Sequence, residues 1–295
     1  MVTDRVYLLD TMALGQAGIV SAYVIKGPKP TLVDCGYASS YRNVLEGLRE
    51  VGISPSEMRY VIPTHVHLDH AGASGHLMES MPNAELLAHE KGVPHLADPT
   101  RLLESATKVF GREIMELYGA PLPVPGERIT AVGKEMHVDL GGGMSATLIH
   151  TPGHAPHQIS VLLEEPDLLL TADAVGIVYP GLGTLIPTTP PPSFNPDDLV
   201  HTVGELEHTT PRKLLVPHFG EREDAVAVFD ETRSKVKAWV KEVRELKNKG
   251  LGADDISEAM EAKVKGEAAT DLPAYARVSV RTSVKGIIHY LEKNP

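Results

Sequence analysis

The sequence has a single cysteine, Cys35, among its 295 residues. One thiol cannot form an internal disulfide, which excludes a disulfide-stapled scaffold and fits a protein kept in a reducing compartment. Long apolar segments are also missing, because no run approaches the roughly 20 residues that a membrane-spanning helix needs. We therefore expect neither a disulfide framework nor a span through a lipid bilayer.

Positive charge is scarce as well. The chain carries 39 aspartates and glutamates against 28 lysines and arginines, which gives a formal net charge of −11. Such a balance repels the phosphate backbone of nucleic acids, and no block of basic residues interrupts it. The first residues show neither the basic region nor the apolar region of an export signal. We expect a cytoplasmic protein whose partner is a small molecule rather than nucleic acid or a membrane.

Short apolar segments bounded by turn residues alternate with segments of helical periodicity. Residues 5–10 and 19–33 predict an antiparallel start, residues 41–51 predict an amphipathic helix, and residues 60–62 predict a buried strand. A second half repeats the theme, with predicted strands at residues 146–149, 159–163 and 168–171. Two β-rich halves with outer helices predict an α+β fold arranged as an αββα sandwich.

Two segments lie outside this repeat. Residues 98–122 place apolar side chains at helical spacing and predict a helical insertion, and the chain beyond residue 221 predicts further helices. We therefore divide the sequence into a core, residues 1–221, and a C-terminal helical extension packed on it, residues 222–295. Whether the insertion is a lid over a pocket or the contact of a homodimer stays open.

The densest group of potential metal ligands directly follows the predicted strand 60–62. It consists of His65, His67, Asp69 and His70. Neutral imidazoles and a carboxylate suit zinc, iron or manganese, and the absence of neighbouring thiols argues against a closed structural zinc site. The alternative is a solvated loop that happens to be rich in histidine, but spacing this specific is rare by accident.

Further residues of the same chemical types stand at the ends of later segments. They are His154 in a Thr-Pro-Gly-His turn, Asp173 after the strand predicted at 168–171, and His218 in a Pro-His-Phe-Gly turn. Each has an ordinary explanation when taken alone, as a turn residue, a cap or a hydrogen-bonded histidine. Apolar strands that each end in one ligand-type residue are nevertheless what a metal site at a sheet edge requires.

In this order the motifs resemble the metallo-β-lactamase superfamily, and specifically its glyoxalase II-like branch. The resemblance covers residues 6–220 and includes Leu32-Val33-Asp34-Cys35-Gly36. It implies a four-layer αββα sandwich with residues 1–221 as the catalytic core. It also implies two metal sites and a bridging ligand: His65, His67 and His154 for one metal, Asp69, His70 and His218 for the other, and Asp173 between them.

The resemblance implies a hydrolase with two divalent metal ions, with zinc as the first choice and iron or manganese as alternatives. A hydroxide shared by the metals would attack an ester, thioester or lactone of a small molecule, while Asp69 and Asp173 orient it and relay its proton. One competing interpretation is a mononuclear iron oxygenase of the persulfide dioxygenase type. A nuclease of the same superfamily is another, which the acidic composition disfavours.

Several neighbouring residues have two interpretations each. Asp34 is either an outer carboxylate that holds a ligand or the cap of a strand end, and Cys35 is a packed side chain rather than a nucleophile. His157 either lines the pocket or packs on its loop, and Tyr179 and Phe110 are further candidates for a substrate pocket.

The chain also departs from two groups of relatives. True β-lactamases of the superfamily commonly have a cysteine where Asp173 stands and carry an export signal, so a β-lactam substrate is disfavoured. The basic and aromatic residues with which glyoxalase II holds glutathione are not recognisable after Asp173, where residues 175–192 are largely apolar. Glutathione thioesters are disfavoured accordingly.

Overall fold

The computed structural model describes residues 1–294, which form two compact units. The first unit comprises Met1–His150 and His157–Leu170, and the second comprises Thr151–Pro156 together with the chain from Thr171 onward. These units divide the chain at other positions than residue 221. The division into a core and a C-terminal extension at that residue therefore stays a prediction.

One six-stranded sheet lies wholly in the first unit. Its strands follow each other in chain order, antiparallel across the first three and parallel from the third onward. They are β1 (Val6–Asp10), β2 (Ser21–Ile25), β3 (Thr31–Val33), β4 (Tyr60–Ile62), β5 (Glu85–His89) and β6 (Ile129–Val132). Because β3 and β4 are parallel neighbours, the segments that begin at Asp34 and Thr64 leave the sheet at the same edge.

Four short helices accompany this sheet. They are α1 (Tyr41–Glu50), α2 (Leu68–Ala71), α3 (Ser74–Ser80) and α4 (Val93–Ala97). Helix α1 is the predicted amphipathic helix, and its inner residues Val44 and Leu48 are fully buried in the apolar core that also contains Leu32 of β3. The chain leaves this helix at Gly52, whose φ of 73° is a left-handed conformation that glycine adopts without strain.

The predicted insertion is helical. It consists of α5 (Thr100–Phe110) and α6 (Arg112–Tyr118), which are joined at Gly111 with a φ of 83°. Tyr118 is buried against Leu68 of α2, and Phe110 packs partly buried against the same cluster. The insertion is therefore anchored on the helix that carries Asp69 and His70.

A second group of strands in the first unit is antiparallel throughout. It contains β7 (Glu135–Gly141), β8 (Met144–His150), β9 (Ile159–Leu163) and β10 (Leu168–Leu170). The last three correspond to the predicted strands. Strand β7 was not predicted, because only two of its seven residues are buried and its apolar signal is therefore weak.

The second unit contains one β-hairpin and four helices. They are β11 (Lys213–Leu215), β12 (Glu221–Arg222), α7 (Pro196–His208), α8 (Ala225–Asn248), α9 (Ala253–Glu267) and α10 (Ala274–Lys293). The last three helices confirm the helices predicted beyond residue 221, and each buries an apolar face, with Trp239 of α8, Met260 of α9 and Val284 of α10 almost fully covered. No helix among residues 1–294 is long and apolar enough to cross a membrane.

Candidate metal centre

The loop after β4 and helix α2 carry the first ligand group, which consists of His65, His67, Asp69 and His70. The ring nitrogens His65 Nε2 and His67 Nδ1 are 2.9 Å apart. A separation of about 3 Å allows both nitrogens to bind one zinc ion, because each Zn–N bond is about 2.0–2.1 Å long. His65 is buried, whereas His67 is half-buried.

Hydrogen bonds around Thr64 determine which nitrogen of His65 carries the hydrogen. The Thr64 hydroxyl lies 2.8 Å from Asp34 Oδ1 and 3.1 Å from His65 Nδ1. The carboxylate can only accept, so the hydroxyl donates to Asp34 and accepts from the Nδ1–H of His65. The lone pair of His65 is then on Nε2, the atom next to His67.

Asp34 also determines the tautomer of His70. Its Oδ2 lies 2.9 Å from His70 Nδ1, while its Oδ1 accepts hydrogen bonds of 2.8 Å from both the backbone N–H and the hydroxyl of Thr64. His70 therefore donates from Nδ1 and presents Nε2, which lies 3.6 Å from Asp69 Oδ2. Asp34 is in the position from which an outer carboxylate orients a ligand histidine.

The second unit carries the second ligand group, which consists of His154, Asp173 and His218. The turn before His154 is held on α7, because Gly153 has a φ of 126° and a Cβ there would lie 2.3 Å from Leu199 Cα. Only glycine fits this approach. His154 Nδ1 lies 2.9 Å from the carbonyl oxygen of Thr188, so it donates there and keeps its lone pair on Nε2.

Asp173 is buried between the other two members of this group. Its Oδ2 lies 3.4 Å from His154 Nε2, and its Oδ1 lies 3.5 Å from His218 Nε2. These separations are longer than charge-assisted hydrogen bonds, which are about 2.7–2.9 Å. The two carboxylate oxygens thus face different imidazole nitrogens at distances that leave room for cations.

His218 stands at the tip of the hairpin formed by β11 and β12. The Val216 N–H donates to the Gly220 carbonyl oxygen over 3.0 Å, which closes a tight loop around His218. Phe219 has a φ of 103° and Gly220 a φ of 98°. A positive φ at a phenylalanine is strained backbone, which is found mainly where the surrounding structure enforces a functional geometry.

The sequence model that describes the metallo-beta-lactamase superfamily as a protein family matches residues 15–246 of this chain. The chain belongs to this superfamily. Its α+β metallo-β-lactamase-type fold with helical additions, predicted from the motifs, is thereby confirmed. Proteins of this fold bind divalent metals, and the described residues contain histidine and aspartate clusters that could hold a metal ion. The donor types also fit, because imidazole and carboxylate suit zinc, iron and manganese.

An archaeal member of the superfamily is similar both in sequence and in structure. The metallo-beta-lactamase fold-containing protein ST1585 of Sulfurisphaera tokodaii is 32% identical over 177 residues, which are 59% of this chain and 62% of that protein. The crystal structure of ST1585 matches with a TM-score of 0.71 and 22% identity over 97% of this chain and 99% of that chain. The structural likeness shows the common fold.

Two other relatives have names that describe a function. The N-acyl homoserine lactonase AttM of Azorhizobium caulinodans is 30% identical over 43% of this chain and 45% of that protein. The flavo-diiron protein FprA2 of Clostridium acetobutylicum is 27% identical over 53% of this chain and 34% of that protein. This chain covers less than two thirds of the length of all three curated relatives. By name, one of these two relatives is a lactonase and the other a flavo-diiron protein.

Cys35 follows Asp34 in the chain, but its side chain packs in the apolar core of the first unit. Its side chain is fully buried, and burial raises the pKa of its thiol to about 12. The thiol remains protonated at neutral pH and accepts a hydrogen bond of 3.4 Å from Ser74 Oγ. A protonated, buried thiol is a packed side chain and not a nucleophile.

The three candidate pocket residues have different surroundings. The ring of His157 lies 6.0 Å from that of His67, and its Nδ1 accepts a hydrogen bond of 3.4 Å from the Val66 N–H. Tyr179 is buried, and its ring meets that of His218 edge-on, with 6.2 Å between the ring centroids. Phe110 is half-buried on the insertion. That these side chains contact a substrate stays a prediction.

Sequence reasoning missed the residues that hold the ligands in place. Thr64 immediately precedes His65 in the loop after β4, so its position could have suggested a link to Asp34. Thr188 lies in a proline-rich segment and carries no local signal, yet its carbonyl oxygen binds His154 and its hydroxyl donates to the Asp173 carbonyl oxygen over 2.6 Å.

Proposed function

We propose that the chain is a metal-dependent hydrolase that cleaves an ester, thioester or lactone of a small molecule. In this proposal His65, His67 and His154 hold one divalent ion, Asp69, His70 and His218 hold a second, and Asp173 bridges them. Zinc is the first candidate for both ions, with iron or manganese as alternatives.

The geometry of Asp173 is the observation that carries the proposal. Its two carboxylate oxygens lie 3.4 and 3.5 Å from the Nε2 atoms of two different histidines. In His154 the partner of Nδ1 is a carbonyl oxygen, so the nitrogen facing Asp173 has its lone pair available for a cation. A carboxylate placed in this way between two imidazoles suits a bridging role.

Two bound divalent ions would polarise the substrate carbonyl and lower the pKa of a shared water toward ~7. The side chains supply orientation and proton transfer. The Asp69 side chain is 22% exposed and the Asp173 side chain 5%, so Asp69 is the carboxylate that solvent reaches. We assign proton acceptance from the attacking water to Asp69 and orientation of that water to Asp173.

The apolar side chains in each unit favour a small hydrophobic substrate. Phe110 and Met115 of the insertion present apolar surface next to Leu68 in the first unit. In the second unit a depression of about 490 Å³ is lined by Tyr179, Phe219, Arg222 and several glycines. Mostly apolar walls with a few polar groups suit a small ester, thioester or lactone better than a highly charged conjugate.

An iron oxygenase of the persulfide dioxygenase type is the second candidate. The observation that favours iron is the sequence similarity to the flavo-diiron protein FprA2. The complete set of ligand-type residues for a second metal, including His70 and His218, favours the hydrolase. A nuclease is disfavoured by the net charge of −11, which repels a phosphate backbone.

Metal analysis combined with a substrate screen tests the proposal. We expect the full chain, after reconstitution with zinc or manganese, to hold two metal ions and to hydrolyse at least one member of a panel of esters, thioesters and lactones. A maximum of one iron ion per chain, together with persulfide-dependent oxygen uptake, would replace the hydrolase with the oxygenase.

A further inference from the structure

We propose that the C-terminal helix α10 is a positioning element for the metal ligands, and not only a cover for the core. The residues responsible are Ser279, Ser283 and Gly286, whose spacing of four and three places them on one face of the helix. This inference rests on the proposed function, in which the second ligand group, His154, Asp173 and His218, binds metal.

The face of α10 that carries these residues contacts the segment 187–191, which we name the strap. Ser283 is buried and donates from Oγ to the carbonyl oxygen of Pro187 over 2.6 Å. In the opposite direction, Thr189 Oγ1 donates to the backbone carbonyl oxygen of Ser283 over 2.9 Å. The Thr189 N–H adds a longer hydrogen bond of 3.4 Å to Ser283 Oγ. One helical residue thus binds the strap through three hydrogen bonds.

Gly286 allows the helix backbone itself to touch the strap. A Cβ at this position would lie 1.8 Å from the carbonyl oxygen of Thr189 and 2.6 Å from the carbonyl carbon of Pro190. No side chain fits at such distances, so any other residue would push the strap away from the helix.

The strap in turn holds two metal ligands through a single residue, Thr188. Its carbonyl oxygen accepts from His154 Nδ1 over 2.9 Å and so determines the tautomer and the ring orientation of that histidine. Its hydroxyl donates to the backbone carbonyl oxygen of Asp173 over 2.6 Å. A displacement of the strap would therefore move His154 and Asp173 together.

The same face of α10 reaches the third ligand by a second route. Ser279 donates to the carbonyl oxygen of Tyr275 over 3.1 Å, which leaves its oxygen to accept from the Tyr179 hydroxyl over 2.8 Å. The Tyr179 ring also packs edge-on against Tyr275, at 4.8 Å between centroids, and against His218, at 6.2 Å. Tyr179 is in this way a spacer between α10 and His218.

Helix α10 is a firm base for this role. Val280, Val284 and Ile287 have no exposed surface, so the helix is fixed by packing independently of its polar contacts. Groups that hydrogen-bond to metal ligands commonly change metal affinity by about 10- to 100-fold when they are removed. Thr188 is such a group, and Ser283 holds it through the neighbouring residues of the strap. Loss of the Ser283 hydroxyl should therefore have a smaller effect of the same kind, visible in metal binding itself and not only in stability.

The test compares Ser283→Ala with two control variants in the full-length protein. Leu48→Ala removes packing from α1 in the first unit and leaves α10 unchanged, and Lys285→Ala changes an exposed side chain of α10. We would measure zinc affinity by chelator competition, the visible spectrum of the cobalt-substituted protein, and the unfolding temperature of the metal-free protein. Ser283→Ala should weaken zinc binding severalfold, up to about tenfold, and change the cobalt spectrum. Leu48→Ala should lower the unfolding temperature alone, and Lys285→Ala should match the wild type.

A second pair of variants covers the case in which Ser283→Ala fails to fold. Thr189→Val removes the hydroxyl that binds Ser283 and should weaken zinc binding, whereas Thr189→Ser keeps the hydroxyl and should restore it. The inference is overturned if the wild type binds two zinc ions and the Ser283→Ala or Thr189→Val protein binds them equally well. It is also overturned if Leu48→Ala weakens zinc binding as much as Ser283→Ala does. A wild-type chain that binds no zinc, manganese or iron would instead refute the proposed function.

Discussion

Asp173 is the residue whose surroundings say most about the proposed chemistry. Both of its oxygens face imidazole nitrogens, at 3.4 Å for His154 and 3.5 Å for His218. Its backbone is held independently, by the hydrogen bond from the Thr188 hydroxyl. Removal of the side chain should therefore leave the local backbone in place and remove only the carboxylate.

We expect Asp173→Ala to weaken the binding of both metal ions, because a bridging carboxylate is shared by the two sites. His218→Ala should weaken mainly one of them. Losses of at least 10- to 100-fold in affinity or activity are typical when groups of a metal site are removed. Plasma emission spectroscopy after dialysis against graded zinc concentrations measures the occupancy of each variant. Full occupancy and full hydrolysis in Asp173→Ala would show that this carboxylate is not the bridge.

A pair of stacked histidines, His89 and His150, lies outside the proposed ligand set. Their ring centroids are 4.0 Å apart, and His89 Nδ1 accepts a hydrogen bond of 3.2 Å from the Lys91 N–H. Burial, and to a smaller extent the neighbouring His150, lowers the pKa of His89 to about 4. His89 is therefore neutral in the folded protein at neutral pH.

This lowered pKa predicts an acid-sensitive contribution to stability. Between the ordinary pKa of 6.5 and about 4 the unfolded chain binds a proton on His89 that the folded chain does not bind. The contribution of neutral His89 to the stability of the fold is complete above pH 6.5 and is lost as the pH falls toward 4. His89→Phe keeps a stacked ring without a titrating group, so its free energy of unfolding should fall less steeply over this range. Urea titrations of the metal-free protein at a series of pH values measure this free energy of unfolding.

A His89→Phe protein whose stability falls in parallel with the wild type would contradict the assigned role of His89.

Among the structural elements, the insertion formed by α5 and α6 is the one whose role is open. Tyr118 stacks on Tyr37 at 4.2 Å between ring centroids, and Phe110 meets Tyr118 edge-on at 5.7 Å. This aromatic group packs against Leu68, which stands between His67 and Asp69 in the chain. The insertion is therefore built onto the first ligand group, as a wall of a substrate pocket would be.

Phe110→Ala should change the relative rates at which different esters and lactones are cleaved, while zinc content and native mass remain those of the wild type. Lys108→Ala, an exposed position of the same helix, is the matched control and should change none of these properties. Competition between substrate pairs and size-exclusion chromatography with light scattering measure the two effects. A variant that becomes monomeric with its substrate ranking unchanged would support the dimer contact instead.

At the scale of the whole molecule, metal binding and folding are coupled in the proposed centre. The ligands of the first group lie within residues 65–70, but those of the second group are spread over residues 154–218. An unfolded chain cannot hold so dispersed a set in place, so the binding free energy is available only to the folded state.

Metal removal should therefore lower the stability of the protein. Free zinc at about 1,000 times its dissociation constant stabilises the folded state by about 4.1 kcal/mol per site. The unfolding temperature should accordingly fall by several degrees when zinc is removed with a chelator and recover when zinc is added back. Differential scanning calorimetry measures this shift, which should be smaller in Asp173→Ala. Identical unfolding with and without zinc would count against a metal centre in this protein.

The sequence by itself determined the types and order of the candidate ligands and the helices with strong periodicity. His65 to His70 directly follow the apolar strand β4, and α1 and α8 show the apolar spacing of amphipathic helices, so local pattern was sufficient for them. Strand β7 was missed because exposed strands carry little of that pattern.

Only the tertiary structure decided what holds the ligands. His70 is bound by Asp34, which is 36 residues away, and the strap is bound by Ser283, which is 96 residues from Pro187. Periodicity records which face of an element is buried, but it does not record which distant group lies against that face. Hydrogen-bond partners depend on the packing of separate segments, and so the positioning role proposed for α10 could be inferred only from the folded chain.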